Sequence, residues 1–146
     1  MTNDEFEQHV TTAFAFLESE FTGTRTTLSE WSVQYVMGTI ELVVSYDAER
    51  REYALAYRFD PKSRHTHELD TICKALDIDH GGRLPGAVTA EELDPYIQSS
   101  AEVLREFTEG VLQNDKDAIA HIAEKLSDHG NQVWKRIQER RAREGK

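Results

Sequence analysis

Apolar residues change period along the chain, and each change marks an element. Phe6, Val10, Phe14, Leu17 and Phe21 recur at helical spacing, with Ala13 beside them. Thr2-x-x-Glu5 forms a capping box in front of this run, and Asp4 and Glu5 suit the positive end of a helix dipole. The spacing predicts one N-terminal helix, ended by Gly23. From Trp31 the period becomes two. Trp31, Val33, Tyr35 and Met37 alternate with Ser32, Gln34 and Val36. Ile40, Leu42, Val44 and Tyr46 alternate with Glu41, Val43 and Ser45, and Tyr53, Leu55, Tyr57 and Phe59 with Ala54, Ala56 and Arg58. Three such runs predict three strands with one buried face. Gly38 and the segment Asp47–Arg50 join them. Both links are too short for a parallel crossover, so the strands form an antiparallel meander, closed by Asp60-Pro61.

Helical spacing then returns. Leu69, Ile72, Cys73 and Leu76 predict a short helix, and Gly81, Gly82, Pro85 and Gly86 mark an exposed loop. A second capping box, Thr89-x-x-Glu92, opens a helix carrying Leu93, Ile97, Ala101, Leu104 and Val111, with Pro95 tolerated in its first turn. Asn114-Asp115 separates it from a stretch with Ile119, Ile122, Leu126, Val133 and Ile137 on one face. Gly130 either breaks that stretch or merely weakens it. The expected fold is α+β: an N-terminal helix, a three-stranded antiparallel meander, then two to four C-terminal helices packed on one sheet face. The first helix and the C-terminal pair cover the Trp31/Leu42/Leu55 face.

Length and composition narrow the class. The 146 residues suffice for one core, so residues 1–146 are read as a single domain. No apolar run reaches membrane-spanning length, and the acidic start lacks the basic region of a secretory leader. The lone Cys73 cannot form an internal disulfide, which suits a reducing cytoplasm. Net charge is −10. Residues 135–146 hold six cations and two anions, a net +4, leaving −14 on the other 134 residues. Such a body disfavours general nucleic-acid binding and steers cationic proteins. The basic tail, frayed or helical, complements a helix C-terminus or contacts an anionic group.

Candidate chemistry is sparse. No nucleophile elbow, phosphate loop or dinucleotide fingerprint occurs, so no catalytic residue and no cofactor is expected. His65 and His67, two apart, could ligate a metal with Glu68 or Asp70, although a hydrophilic loop explains them as well. Asp77-x-Asp79-x-Gly81 fails as a calcium loop, because Gly81, Pro85 and Val88 occupy ligand positions. Cys73 lies on an apolar stripe and reads as core. Tyr35, Tyr46, Tyr53 and Tyr57 share the inward sheet face. They fill core, or line a ligand pocket if the helices leave that face open. The opposite face carries short side chains, including Val36, Val43, Ala54 and Ala56, where a solvated sheet usually places long charged ones. Glu30, Gln34, Glu41, Glu52 and Arg58 mark it as a shallow partner-binding or dimer surface with an acidic rim.

Three stretches carry a resemblance: Phe14-Ala-Phe16-Leu-Glu-Ser-Glu-Phe21, Trp31-Ser-Val-Gln-Tyr35 with Ile40 through Glu52, and Leu104-Arg-Glu-Phe107 through Leu112-Gln-Asn-Asp115. Together they resemble a group of small bacterial α+β proteins, some of immunity (antitoxin) type, in which Gly-Asp often stands where this chain has Asn114-Asp115. The resemblance implies a bacterial cytoplasmic protein and supplies no catalytic residue. The first functional expectation is a non-enzymatic interaction module, an immunity-type inhibitor or adaptor for a cationic protein. The second is a ligand-binding protein or enzyme using the tyrosines. The third is a small acidic secretion chaperone, a class that commonly dimerises.

Overall fold

The computed structural model describes residues 1–60 and 62–145. Pro61, expected to close a strand, and Lys146 at the tail lie outside the described residues. Helix α1 (Asn3–Ala13) starts at the expected cap, where Thr2 Oγ1 accepts the Glu5 N–H at 3.2 Å. The expected single helix is divided: Phe14 leaves helical geometry (φ −101, ψ 14), and a short α2 follows (Ala15–Ser19). The division keeps Phe6, Val10, Phe14 and Leu17 all buried. The chain then turns sharply. Gly23 N–H donates to Leu17 O at 2.7 Å, and a Cβ on Gly23 would sit 2.8 Å from that oxygen.

The sheet has five strands rather than three, in the order β1-β2-β3-β4-β5, each neighbouring pair antiparallel. The expected central three are β2 (Ser32–Met37), β3 (Ile40–Asp47) and β4 (Glu52–Arg58), and each alternates buried with half-buried or exposed positions. The additional edge strands are β1 (Thr24–Ser29) and the two-residue β5 (His67–Glu68). All six residues of β1 are exposed, so it has no apolar alternation to read. Its only sequence trace is three threonines in six residues.

Trp31 is not the first inward strand residue. It occupies the β1–β2 turn at φ +60, with its N–H donating to Asn3 Oδ1 at 2.7 Å. Its half-buried ring lies 5.3 Å from that of Phe6 and 5.5 Å from that of Tyr46. The β2–β3 turn uses Gly38 at φ +61, a conformation two-residue hairpins reserve for glycine.

Helix α3 (Leu69–Ala75) follows β5 directly. The expected second capping box does not form: Thr89 Oγ1 donates to Glu92 Oε1 at 2.8 Å instead of accepting a helix N–H, and a short 3-10 turn at Ala90–Glu92 leads into α4 (Leu93–Phe107). Helix α4 buries Leu93, Ile97, Ala101, Val103 and Leu104 and packs against α1. Val111 is not on α4 but on the separate α5 (Glu109–Leu112). Helix α6 (Lys116–Glu144) is capped by Asp115, whose carboxylate accepts the Asp117 N–H at 2.9 Å. It runs unbroken through Gly130, so the basic tail is helical as far as Glu144. Of the expected C-terminal pair, α4 contributes the buried face, whereas α6 packs on α3 and α5 and buries only Ile122 and Leu126.

Candidate functional site on the outer sheet face

Register determines what the uncovered face shows. Gln34 on β2 pairs with Val43 on β3, which pairs with Ala56 on β4. One step along, Val36 pairs with Glu41, and Glu41 with Arg58. These residues lie opposite the buried Tyr35, Leu42, Val44, Leu55 and Tyr57. Leu28 on β1, which is 51% exposed, and Thr66 before β5 flank the row at its two sides. Together they enclose an open trough of about 430 Å³ lined by Leu28, Gln34, Glu41, Val43, Ala56, Arg58 and Thr66.

The trough holds one ion pair. Arg58 Nη1 donates to Glu41 Oε2 at 3.1 Å, with both side chains partly covered. The Nε–H of Arg58 is buried and has no acceptor among the described residues. Short neighbours keep the surface shallow enough for another protein to reach the strands.

Of the five expected partner-binding residues, the fold brings Gln34, Glu41 and Arg58 into this trough. Glu30 lies in the β1–β2 turn and Glu52 at the start of β4, at the opposite end of the strands from the Glu41–Arg58 pair. They form an acidic end rather than a continuous rim. Glu52 also borders a separate depression of about 390 Å³ beside β4, where Leu84–Ala87 crosses the strand edge. Leu28 and Thr66 were not legible as trough residues, because their placement depends on the two edge strands.

The four tyrosines lie in the core. Tyr35 and Tyr57 are fully buried, and Tyr46 and Tyr53 nearly so. Tyr46 Oη donates to Val88 O at 2.8 Å, Tyr53 Oη shares a hydrogen with Ser100 Oγ at 2.6 Å, and Tyr57 Oη with Thr108 Oγ1 at 2.7 Å. Burial pushes the Tyr35, Tyr53 and Tyr57 phenols well above their ordinary value, so they stay protonated. The Tyr35 hydroxyl is buried without a partner among the described residues.

His65 and His67 do not converge on a shared centre with carboxylates. The His67 ring packs 5.7 Å from that of Phe59, and no group of three or more His, Cys, Asp or Glu among the described residues is arranged to hold a metal. Asp79, from the failed calcium-loop pattern, caps its own turn by accepting the Gly81 N–H at 2.8 Å. Cys73 is buried, and burial, with the nearby Asp70 charge, raises its thiol. Asp70 receives Lys74 at 3.1 Å and His80 Nε2 at 3.1 Å. Burial opposes its ionisation, but those hydrogen bonds outweigh it and hold the carboxyl below its ordinary range. No helix among the described residues is long and apolar enough to cross a membrane. Compared with family models, curated proteins and solved structures, the chain matches none.

Proposed function

We propose that this chain is a non-enzymatic protein-interaction module, an immunity-type inhibitor or adaptor, which binds a cationic protein partner on the outer face of its sheet. The observation that carries the reading is the trough: an uncovered sheet surface of short side chains with the Glu41–Arg58 pair set in it. The net charge of −10 supports a cationic partner, which such a body attracts over a longer range than the contact itself. A ligand site among the tyrosines has less support, because three of their hydroxyls are committed to Val88, Ser100 and Thr108.

The test is affinity isolation from the native host at low and high salt, repeated with Val43→Arg. That substitution puts a long cation in the trough floor without touching the buried face. One stoichiometric cationic protein, released by salt and lost from the variant while the melting temperature holds, is the expected result. Binding that ignores Val43→Arg excludes this surface.

A further inference from the structure

Helix α6 has 29 residues, a length of about 43 Å. Its body-facing stripe buries Ile122 and Leu126, then continues on the same side as Gly130, Val133 and Ile137. Beyond Leu126 no described residue of the helix is buried; Val133 is 38% exposed and Trp134 52%. A helical segment this polar gains little from packing on its own chain, and short helices standing free in water are marginal. Arg141 lies over the Trp134 ring at 5.8 Å, so the apolar surface there is bordered by charge.

Charge along α6 specifies what fits it. The last ten residues of the helix carry Lys135, Arg136, Arg140, Arg141 and Arg143 against Glu139 and Glu144. The cap and first half carry Asp115, Asp117, Glu124 and Asp128 against Lys116 and Lys125. A second copy laid parallel would superimpose cations on cations. Laid antiparallel about Val133 and Ile137, Arg140, Arg141 and Arg143 of one copy come opposite residues 127–130 of the other, where Asp128 is the one charged side chain, and point toward the acidic body behind it.

We propose that the free half of α6 pairs antiparallel with the same segment of a second copy, stripe to stripe through Val133 and Ile137. The contact is isologous, as a two-fold dimer requires. Two apolar side chains and a tryptophan per copy make it smaller than a standard interface of about 800 Å² per partner, so the dimer forms reversibly and depends on concentration. The outer sheet face stays open in both copies, which makes the assembly bivalent for the partner proposed above.

Sedimentation velocity of the full chain over a concentration series, with circular dichroism as a folding control, tests the pairing. The wild type shifts from monomer to dimer, and Val133→Glu with Ile137→Glu weakens association about tenfold or more at unchanged melting temperature. Reversing Arg140, Arg141 and Arg143 to Glu weakens it more than reversing Arg50, Lys62 and Arg64, which changes net charge equally on the body. Orientation is read by oxidative cross-linking: His129→Cys and Arg140→Cys chains cross-link to each other, whereas Arg140→Cys alone does not. A chain that stays monomeric throughout overturns the proposal, even if it binds anionic vesicles or nucleic acid through the same cations. A dimer that ignores the Val133 and Ile137 changes overturns it too, and so does efficient self-cross-linking at position 140. Val43→Arg leaves dimerisation intact, so failure of the trough and failure of the helix pair are separate results.

Discussion

Single side chains set the tight points of this fold. Asn114 is the clearest. It sits at φ +63 between α5 and α6, a conformation asparagine tolerates. Its Nδ2 donates to Met37 O at 3.3 Å, and its Oδ1 accepts the Thr39 hydroxyl at 3.2 Å, fastening the β2–β3 turn to the start of α6. A Cβ on Gly38 would overlap the Asn114 amide, so the two positions fit only as a pair. Asn114→Ala loses both hydrogen bonds and leaves alanine in a left-handed conformation, at a cost of roughly 1–3 kcal/mol. Asn114→Gly loses the same bonds without the strain, so chemical denaturation places it between wild type and alanine. Leu42 reports the inward face: it is fully buried between Tyr35 and Tyr57 in register, and Leu42→Ala costs about 2–5 kcal/mol. A melting temperature within error of wild type would contradict the inward placement of Leu42.

Elements differ in how much of them pattern alone reveals. The central strands were legible because each buries one face and wets the other, which writes period two into the sequence. The edge strands were not, because β1 exposes all its residues and β5 is two residues long. Yet β5 joins β4 to α3 and brings His67 against Phe59. Burial, helped by the neighbouring His65, lowers His67 from its ordinary 6.5. The unfolded chain therefore takes up the proton first, so stability is full above about pH 6.5 and declines as pH falls past it. Asp70 has its carboxyl lowered, so its contribution is lost only at lower pH, as the native carboxylate protonates. Thermal melting against pH checks both: His67→Gln flattens the first decline and leaves the second.

At the scale of the molecule, charge and coverage are divided between two regions. Helices α1, α3 and α4 enclose one side of the sheet and the start of α6 packs behind them on α3 and α5, while the trough and the free half of α6 are left open. Local pattern determined the α+β class, the faces of the three central strands, the Thr2 cap, the core identity of Cys73 and the acid-to-base polarity of the chain. Those follow from neighbours a few residues apart. Tertiary structure alone decided that the tyrosine hydroxyls find Val88, Ser100 and Thr108, because those partners lie more than forty residues away in sequence. It likewise placed Gln34, Glu41 and Arg58 in one trough while leaving Glu30 and Glu52 at the other end, since strand register sets those neighbours. The course of α6 through Gly130 belongs here as well. A helix-interior glycine costs about 1 kcal/mol, and with a capped start and strong helix formers over 118–126 and 135–144 that cost does not break the helix.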